Sequence, residues 1–343
     1  MKIKGSFIDG KTIVEKAKEV GRLYNKSRLG NPISENKLEL DLIESCFLLD
    51  EGKIFIKNDK ENIDFEKLTK VASKEINDFD VKYLAFKDLR KRGCIIRLSS
   101  DEEVTFSDCK KEFVVCAFSE KRYFDFEETL KLIQSVEKRK VRLYFAVVDS
   151  EGDVTYYDIS GFDFKGFNKK EKYSKAKGFL FDNGVVIYDE KLKDSLFEKE
   201  FFGKPFGEAL RISFGESLYL SETGVLDVVY SDGTKIDSKK LMGKIKEQIP
   251  SFERLYNIYN DLKEKKLIVK TGFKFGTDFR VYTRKPNDIH AEYLVQTIEQ
   301  KSKIVWSEMS RVIRLAHSVN KEIVFARMNG KKIDYIKFGR LRP

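Results

Sequence analysis

The strongest constraint on the fold is an internal repeat, because the chain matches itself when it is shifted by 173 residues. Pairs at an offset of 173 are Gly30 and Gly203, Pro32 and Pro205, Ile63-Asp64 and Ile236-Asp237, Lys67-Leu68 and Lys240-Leu241, Tyr83 and Tyr256, Asp88-Leu89 and Asp261-Leu262, and Ile95 and Ile268. Pairs at an offset of 172 are Leu38 and Leu210, Glu44-Ser45 and Glu216-Ser217, Leu48 and Leu220, and Gly52 and Gly224. Unrelated segments rarely keep identities in order at one offset, so we infer a tandem duplication of one unit.

Each unit is predicted to begin with a small part that contains both strands and a helix. In the second unit, Gly178 to Ile187 reads as two strands that turn at Asp182-Asn183-Gly184. A helical pattern from Leu192 to Phe201 follows, and Gly203 and Pro205 come after it.

The second part of each unit is predicted to combine helices with a mixed sheet. In the second unit this part opens with a helix whose apolar residues recur at intervals of three and four. They are Phe252, Leu255, Tyr256, Tyr259 and Leu262. The predicted strands are Leu267 to Lys270, Phe279 to Tyr282, His290 to Val295, Glu322 to Arg327 and Ile333 to Phe338, and a helix with the apolar face Met309, Val312, Ile313, Ala316 and Val319 precedes the last two.

The sequence therefore predicts an α/β fold of the mixed α+β type, present in two tandem copies. The seam between the two units is placed at Gly161 to Lys175, where glycines and lysines are frequent. The predicted parts are residues 1–80 and 81–165 for the first unit, and residues 166–251 and 252–343 for the second.

Composition favours a protein with large cores and a polyanionic partner. The chain has 343 residues, of which 41% are apolar, which is enough for two domains or more. Its formal net charge is +10, from 66 basic and 56 acidic residues. A positive charge of this kind favours nucleic acid over a membrane as the partner.

The sequence also favours a cytoplasmic protein with free thiols. Cys46, Cys94, Cys109 and Cys116 show no Cys-x-x-Cys spacing, and no histidine lies near them. Buried free thiols are therefore a better interpretation than zinc or disulfides. The N-terminus lacks the apolar stretch of a signal peptide, and no run reaches the ~18 apolar residues of a membrane helix.

Three side chains of the second unit suit proton transfer around a phosphate. Tyr282 ends one predicted strand, His290 opens the next, and Lys321 stands where a helical pattern gives way to a strand. RNA cleavage by its own 2′-hydroxyl needs a base, an acid and a cation beside the phosphorane, roles that fit Tyr282, His290 and Lys321 in that order. Taken singly, each residue also has an ordinary explanation, since a strand tyrosine usually packs and a lysine after a helix usually neutralises the helix end.

From about Tyr256 to the C-terminus, the chain resembles the archaeal tRNA-splicing endonucleases. The matching blocks are Gly272-Phe273-Lys274-Phe275-Gly276, Phe279-Arg280-Val281-Tyr282, His290-Ala291-Glu292-Tyr293-Leu294-Val295, Arg311-Val312-Ile313-Arg314-Leu315-Ala316 and Ser318-Val319-Asn320-Lys321. The resemblance implies a nuclease-like C-terminal part in each unit and a homodimer of chains with two fused repeats. It also implies that Tyr282, His290 and Lys321 form a catalytic triad that needs no metal or other cofactor. The implied substrate is precursor tRNA with a bulge–helix–bulge motif, cut to leave a 2′,3′-cyclic phosphate and a 5′-hydroxyl.

The resemblance also implies RNA-binding residues. Arg314 stands where the family uses an arginine to stack on a flipped bulge nucleotide, and a planar guanidinium suits that role. The family pairs this arginine with an aromatic residue of the other subunit, and both Tyr335 and Phe338 are candidates. Arg311 lies on the same predicted helix, where simple exposure to solvent explains it equally well.

The first unit is predicted to be catalytically inactive. It contains no histidine, and the acidic stretch Ser99 to Glu103 replaces the glycine-rich block of the second unit. Lys138 is aligned with Lys321 because Ser135-Val136-Glu137-Lys138 parallels Ser318-Val319-Asn320-Lys321. A lysine alone supplies neither the acid nor the base.

The last hairpin of the first unit is a candidate assembly loop. It carries Asp149, Glu151 and Asp153, whereas the second unit has Asn329-Gly330-Lys331-Lys332 at this place. The resemblance implies that such an acidic loop docks in a basic pocket of a catalytic unit. Without the resemblance, a polar hairpin turn would explain the loop.

Two other functions fit parts of the sequence. A non-catalytic RNA-binding or structural subunit of an RNA-processing complex would keep the basic residues and need no triad. A metal-dependent nuclease would need clustered carboxylates, and Asp278 and Glu292 show no convincing ligand spacing.

Overall fold

The computed structural model describes residues 2–59, 61–99, 104–110, 112–167, 173–286, 290–300 and 302–343. Parts of the predicted seam and of the acidic stretch after Ser99 lie outside the described residues. Two compact units are present. The first comprises Met1–Ser160, Lys303–Arg311 and Gly339–Pro343, and the second comprises Gly161–Ser302 and Val312–Phe338.

The first unit begins with a small sheet and three helices. The elements are β1 (Ile3–Ile8), β2 (Lys11–Val14), α1 (Ala17–Gly21), a π-helical turn (Arg22–Lys26), β3 (Asn31–Ser34), β4 (Lys37–Leu40), α2 (Leu42–Asp50), β5 (Ile54–Asn58), β6 (Glu61–Ile63) and α3 (Phe65–Glu75). The strand order is β3-β4-β2-β1-β5-β6, with β1 and β5 parallel and the other pairs antiparallel.

The rest of the first unit is a helix on a mixed sheet, followed by a second helix. The elements are α4 (Phe79–Lys91), β7 (Ile96–Leu98), β8 (Phe106–Asp108), β9 (Phe113–Ser119), β10 (Tyr123–Phe124), α5 (Phe126–Lys138), β11 (Arg142–Val148) and β12 (Val154–Gly161). Strands β7, β8, β9, β11 and β12 lie in that order, and only β9 and β11 are parallel to each other. Helix α4 packs on β7, β9 and β11.

The second unit repeats this plan. Its first part has β13 (Ala176–Phe181), β14 (Gly184–Ile187), α6 (Glu190–Glu200), β15 (Lys204–Phe206), β16 (Ala209–Ile212), α7 (Phe214–Glu222), β17 (Leu226–Val229) and α8 (Ser238–Gln248). The next elements are α9 (Phe252–Glu264), β18 (Ile268–Thr271), a 3₁₀ turn (Phe273–Phe275), β19 (Phe279–Tyr282), β20 (Tyr293–Ile298), β21 (Ile304–Val305), α10 (Trp306–Ser318), β22 (Glu322–Asn329) and β23 (Lys332–Leu341).

Sheet topology confirms both the mixed fold and the duplication. The order β15-β16-β14-β13-β17 repeats β3-β4-β2-β1-β5, and β18-β19-β20-β22-β23 repeats β7-β8-β9-β11-β12. The parallel pair is again the one on either side of a helix, β20 and β22. Two strands that run the same way need such a crossover, which is why each repeat contains α5 or α10. The division into four sequence ranges stays a prediction.

A buried glutamate explains why the two repeats share a glycine and a glutamate at matching positions. Glu44 and Glu216 are both buried, and each accepts a hydrogen bond from a glycine N–H, that of Gly30 at 2.9 Å and that of Gly203 at 3.0 Å. Both glycines have a left-handed φ, +78° and +59°, and a Cβ there would approach backbone oxygens to 2.8 and 2.5 Å. A residue with a side chain would be strained at either place.

The second repeated contact is a tyrosine–aspartate hydrogen bond in each core. The Tyr156 hydroxyl donates to Asp88 at 2.7 Å, and the Tyr335 hydroxyl donates to Asp261 at 2.6 Å. The first pair joins β12 to α4, and the second joins β23 to α9. The Asp88-Leu89 and Asp261-Leu262 match in the sequence is therefore a packing constraint.

None of the helices within the described ranges is long and apolar enough to cross a membrane.

Candidate active site

The fold brings Tyr282, His290 and Lys321 to one edge of the second unit's sheet. Tyr282 is the last residue of β19, His290 precedes β20 by three residues, and Lys321 directly precedes β22. Strands β20 and β22 are parallel, so both begin at this edge, and the antiparallel β19 ends there. Continuing these two registers by one residue places Tyr282 on one side of Glu292 and Lys321 on the other.

The strand spacing sets the size of this site. Tyr282 and Lys321 flank the same residue across two strand spacings, so their backbones lie about 10 Å apart. That gap accommodates a phosphate between a phenol and an extended ammonium. Among the described residues, no hydrogen bond joins Tyr282, His290 and Lys321 to one another.

Glu292 fixes the edge at which the three side chains meet. Its carboxylate accepts a hydrogen bond from the Thr283 N–H at 3.2 Å and another from the Thr283 hydroxyl. Its carbonyl accepts from the Glu322 N–H at 3.0 Å. Glu292 therefore ties the end of β19 and the start of β22 to β20, and no metal ligation is needed to explain it.

Tyr282 is held firmly. It is 8% exposed and packs with Ile268, Ala291 and the partly buried Phe201. The Arg280 guanidinium lies 5.9 Å from the centre of its ring. Packing therefore orients the ring, and a cation lies close to it.

His290 is exposed and lies outside any strand, because β20 begins at Tyr293. The predicted strand from His290 to Val295 was thus placed three residues too early. An imidazole in this position is open to solvent and to a substrate. In the loop between Tyr282 and His290, Pro286 is among the described residues, whereas Asn287 is not.

Lys321 is positioned by a left-handed turn and an aromatic ring. Asn320 has φ +54°, and the Lys321 N–H then donates to the Ala316 carbonyl at 3.0 Å, which ends α10. The Lys321 ammonium lies 5.4 Å from the centre of the Phe275 ring. The ring holds the ammonium near the sheet edge by a cation–π interaction.

Helix α10 has a buried apolar face and an exposed face with basic side chains. Arg311, Arg314 and His317 are exposed, whereas Met309, Ile313 and Ala316 are buried. The helical pattern predicted this division correctly. Exposure leaves Arg314 accessible to RNA.

Tyr335 and Phe338, the predicted aromatic partners of Arg314 on a nucleotide, are both buried in this structure. Tyr335 is 5% exposed and its hydroxyl is used by Asp261. Phe338 is 1% exposed and packs edge-to-face against Phe325 with ring centres 5.1 Å apart. The two side chains point to opposite faces of β23, and both faces are covered. The match of Tyr335 to Tyr156 in the first repeat was the sequence signal for a core role.

Sequence reasoning missed Phe273, which is 86% exposed. It lies in the 3₁₀ turn whose third residue, Phe275, contacts Lys321. The turn is fixed at its base, since a Cβ on Gly272 would lie 2.4 Å from the Thr277 hydroxyl. An aromatic side chain on a tight glycine-flanked turn was the available signal.

The matching strand registers identify which residues of the first unit occupy the triad positions. Phe106 pairs with Val115 as Phe279 pairs with Val295, so Cys109 corresponds to Tyr282. Lys110 lies three residues before the start of β9, as His290 lies three residues before the start of β20, so Lys110 corresponds to His290. Cys109 and Lys110 are both exposed.

The position of Lys321 in the first unit is taken by Val141. Lys140 has φ +56° as Asn320 has +54°, and the Val141 N–H donates five residues back, to Val136, at 3.1 Å. Lys321 donates to Ala316 in the same way. The predicted alignment of Lys138 with Lys321 is therefore wrong, because Lys138 is still inside α5. The helix and its turn were offset in the alignment by three residues.

The acidic hairpin of the first unit is exposed, and its residues differ in their contacts. The Asp149 carboxylate accepts hydrogen bonds from the N–H groups of Glu151 at 3.0 Å and Asp153 at 2.9 Å. The Ser150 N–H donates to Glu120 at 3.1 Å. Asp149 thus shapes the turn, whereas the carboxylates of Glu151 and Asp153 face solvent.

In the part of the chain that the structure describes, no three His, Cys, Asp or Glu residues are grouped as metal ligands.

Comparison with known proteins agrees with this arrangement. A sequence model of the tRNA intron endonuclease catalytic C-terminal domain matches residues 252–335, and one of the N-terminal domain matches residues 3–69 and 176–242. The tRNA-splicing endonuclease of Methanococcoides burtonii is 33% identical over 99% of this chain and 100% of its own length. That of Halobacterium salinarum is 28% identical over 94% of this chain and 95% of its own length.

A shorter relative matches about half of the chain. The tRNA-splicing endonuclease of Sulfolobus acidocaldarius is 34% identical over 48% of this chain and 98% of its own length. A nearly complete relative thus corresponds to about half of this chain, as expected for a duplicated unit. Together with the paired N-terminal domain matches and the full-length relatives, this shows that the chain belongs to the tRNA intron endonuclease, or tRNA-splicing endonuclease, family.

Proposed function

We propose that this chain cuts introns out of precursor tRNA without a metal ion. The observation that supports this most directly is the meeting of Tyr282, His290 and Lys321 at one sheet edge, inside the region that matches the catalytic domain. The enzyme acts in the cytoplasm as a homodimer with one active site in the second unit of each chain.

In the proposed reaction the 2′-oxygen attacks the adjacent phosphorus and the bond to the 5′-oxygen breaks. Tyr282 accepts the 2′ proton, and His290 donates a proton to the leaving 5′-oxygen. Lys321 stabilises the extra negative charge of the phosphorane. The products are a 2′,3′-cyclic phosphate and a 5′-hydroxyl.

The proposed substrate is a helix flanked by two bulges. Such RNA is recognised through shape and through unstacked bases. Arg314 offers an exposed guanidinium plane, and Phe273 offers an exposed ring beside the turn that holds Lys321. We assign base stacking to Phe273 in place of the buried Tyr335 and Phe338. Arg311 contributes positive charge to the same helix.

The first unit is proposed to be structural. Its triad positions hold Cys109, Lys110 and Val141, a set that lacks a cation at the place of Lys321. Its acidic hairpin is proposed to dock on the catalytic unit of a second chain.

Cleavage of a bulge–helix–bulge RNA, with and without EDTA, tests the proposal. We expect cutting at both bulges in EDTA, with cyclic phosphate and 5′-hydroxyl ends identified by mass spectrometry. His290→Ala should slow single-turnover cleavage ~10²–10⁴-fold and leave RNA affinity nearly unchanged. His317→Ala, the other histidine, is the control and should have little effect. Binding without cleavage by the wild-type protein would instead indicate a non-catalytic RNA-binding subunit.

A further inference from the structure

A cavity of about 890 Å³ lies in the first unit at the place of the lost active site. Its wall includes Cys109, Lys110 and Val141, the three residues that correspond to Tyr282, His290 and Lys321. The duplicated fold has therefore kept an open site at this sheet edge after the triad was replaced.

The cavity is strongly basic. Arg28, Arg97, Lys110 and Arg139 all line it. Among the described residues that line the cavity, the acidic one is Asp108, which is buried and accepts hydrogen bonds from the N–H groups of Lys110 at 3.1 Å and Glu112 at 3.3 Å. These donors partly offset the Asp108 charge, and the four cationic side chains outnumber it among the described lining residues.

One wall also offers flat groups beside the cations. The Arg97 guanidinium lies 5.5 Å from the centre of the Tyr24 ring, and its Nε donates to the Arg28 carbonyl at 3.4 Å. A guanidinium held in this way can pair with a phosphate while it stacks on a ring. Phe113 lines the same cavity.

We propose that this cavity of the first unit binds a nucleotide, with the phosphate on Arg28, Arg97 and Lys110 and the base on the aromatic wall. No bond is broken there, because a valine replaces the lysine that would stabilise the phosphorane. Two sources share this chemistry, namely a free mononucleotide and a single-stranded segment of an RNA substrate. Only the second source rests on the proposed function.

The Cys109 thiol provides a built-in probe of occupancy. It is exposed, whereas Cys46 and Cys116 are buried and Cys94 is half-buried. Alkylation of Cys109 by iodoacetamide is measured on the intact full-length protein and quantified by peptide mass spectrometry. The rate is followed against adenosine monophosphate, and separately against a bulge–helix–bulge RNA with 2′-deoxy groups at its cleavage sites.

We expect at least one of these ligands to slow Cys109 alkylation fivefold or more at saturation. Arg97→Ala should raise the ligand concentration needed for half protection about tenfold, since a charged hydrogen bond is lost. Lys138→Ala removes the same charge from the same unit outside the cavity and should change nothing. Protection by the mononucleotide alone identifies a free nucleotide, and protection by RNA alone identifies a substrate segment.

Two results would overturn the proposal. One is an unchanged alkylation rate with both ligands at millimolar concentration or at RNA saturation. The other is a thiol that is already shielded and becomes reactive in the Glu151→Ala/Asp153→Ala variant, which would make an acidic hairpin of a second copy the occupant. Because the RNA probe cannot be cut, neither result depends on catalysis, and the cleavage assay tests the proposed function separately.

Discussion

At the scale of the residue, one difference between the repeats changes the charge state of a buried glutamate. In the second unit, the Lys270 ammonium lies 3.0 Å from Glu216. Burial alone would raise the pKa of Glu216, but Lys270 and the N–H groups of Ser213 and Gly203 outweigh it, so this pKa is lowered.

The first unit has an aspartate beside the corresponding glutamate. Burial and the neighbouring Asp41 raise the pKa of Glu44 to about 8, and burial raises that of Asp41 to about 6. The N–H groups of Gly30 and Asp41 and the Arg97 guanidinium lower the pKa of Glu44, but they offset this rise only in part.

The raised pKa values predict that the first unit loses stability as the pH rises. The folded state holds more protons than the unfolded state between roughly pH 4 and pH 8. The stability that this protonated pair contributes is therefore fully present below about pH 4, and it is lost as the pH rises to about 8. Asp41→Ser introduces the N-cap residue type of the second unit, Ser213, and removes the charge beside Glu44, so it should be more stable than the wild type above pH 8, by on the order of 2 kcal/mol.

Denaturant unfolding followed by the fluorescence of Trp306, which belongs to the first unit, measures this effect. Glu216→Gln is the control in the second unit and should destabilise that unit at pH 7 by about 3 kcal/mol, because it removes the carboxylate that balances the buried Lys270 charge. Circular dichroism follows that unit. An equal loss in both variants would contradict the assignment of a proton to Glu44.

The second residue-scale prediction concerns Lys321. A cation that acts on the phosphorane stabilises the transition state more than the bound substrate. Lys321→Ala should therefore lower the single-turnover rate ~10²–10³-fold with little change in affinity, and Lys321→Arg should restore part of it. Lys138→Ala, the helical lysine of the first unit, should leave the rate unchanged. A fall in affinity without a fall in the saturated rate would place Lys321 in the binding surface instead.

The third prediction at the residue scale concerns Phe273. If its ring stacks on a base, Phe273→Ala should weaken RNA binding ~5- to 100-fold, and Phe273→Trp should retain binding. The melting temperature should not change, because the ring is 86% exposed. Phe206→Ala removes another exposed ring, 54% exposed, and should bind RNA like the wild type. Equal binding by Phe273→Ala would remove Phe273 from the RNA surface.

At the scale of the element, the β11–β12 hairpin combines a structural carboxylate with two that are free to dock. Asp149 holds the turn by accepting from the N–H groups of Glu151 and Asp153. Replacing all three carboxylates would therefore confuse loss of the turn with loss of docking. The test is sharper when Asp149 is kept.

We predict that Glu151→Ala/Asp153→Ala weakens association of two chains and lowers cleavage in proportion. The expected effect of each exposed charge is small, about 0.2–1 kcal/mol, so both are changed together. Light scattering over a range of protein and salt concentrations measures association. Lys331→Ala/Lys332→Ala in the matching hairpin of the second unit is the control. Wild-type mass and activity in the acidic-loop variant would contradict a docking role.

At the scale of the whole molecule, the proposal requires two active sites per dimer, one from each chain. A two-fold axis would then present them to the two bulges of one RNA. Mixed dimers with one wild-type chain and one His290→Ala chain should cut a single junction at close to the normal rate and leave the second uncut. Differently tagged chains, purified in sequence, provide such dimers. Full excision by the mixed dimer would show that one site serves both junctions.

The sequence by itself determined the duplication and the mixed fold. These features rest on short-range physics, such as the left-handed glycine that donates to a buried glutamate, the aspartate that caps a helix, and the alternation that ends a strand at Tyr282. Tyr282, His290 and Lys321 were identified as a set through the resemblance, and their catalytic roles stay a prediction. The local pattern of α10 also separated its buried face from Arg314 without any knowledge of the neighbours.

Only the tertiary structure decided which side of each strand would be covered. Alternation places Tyr335 and Phe338 on opposite faces of β23 but does not say what packs on either face, and both residues, which were expected at RNA, lie in the core. Sequence spacing likewise aligned Lys138 with Lys321, whereas the left-handed turn at Lys140 gives that place to Val141. The exposure of Phe273 and the basic cavity beside Cys109 depend on residues far apart in the chain, and those come together only when the sheet forms.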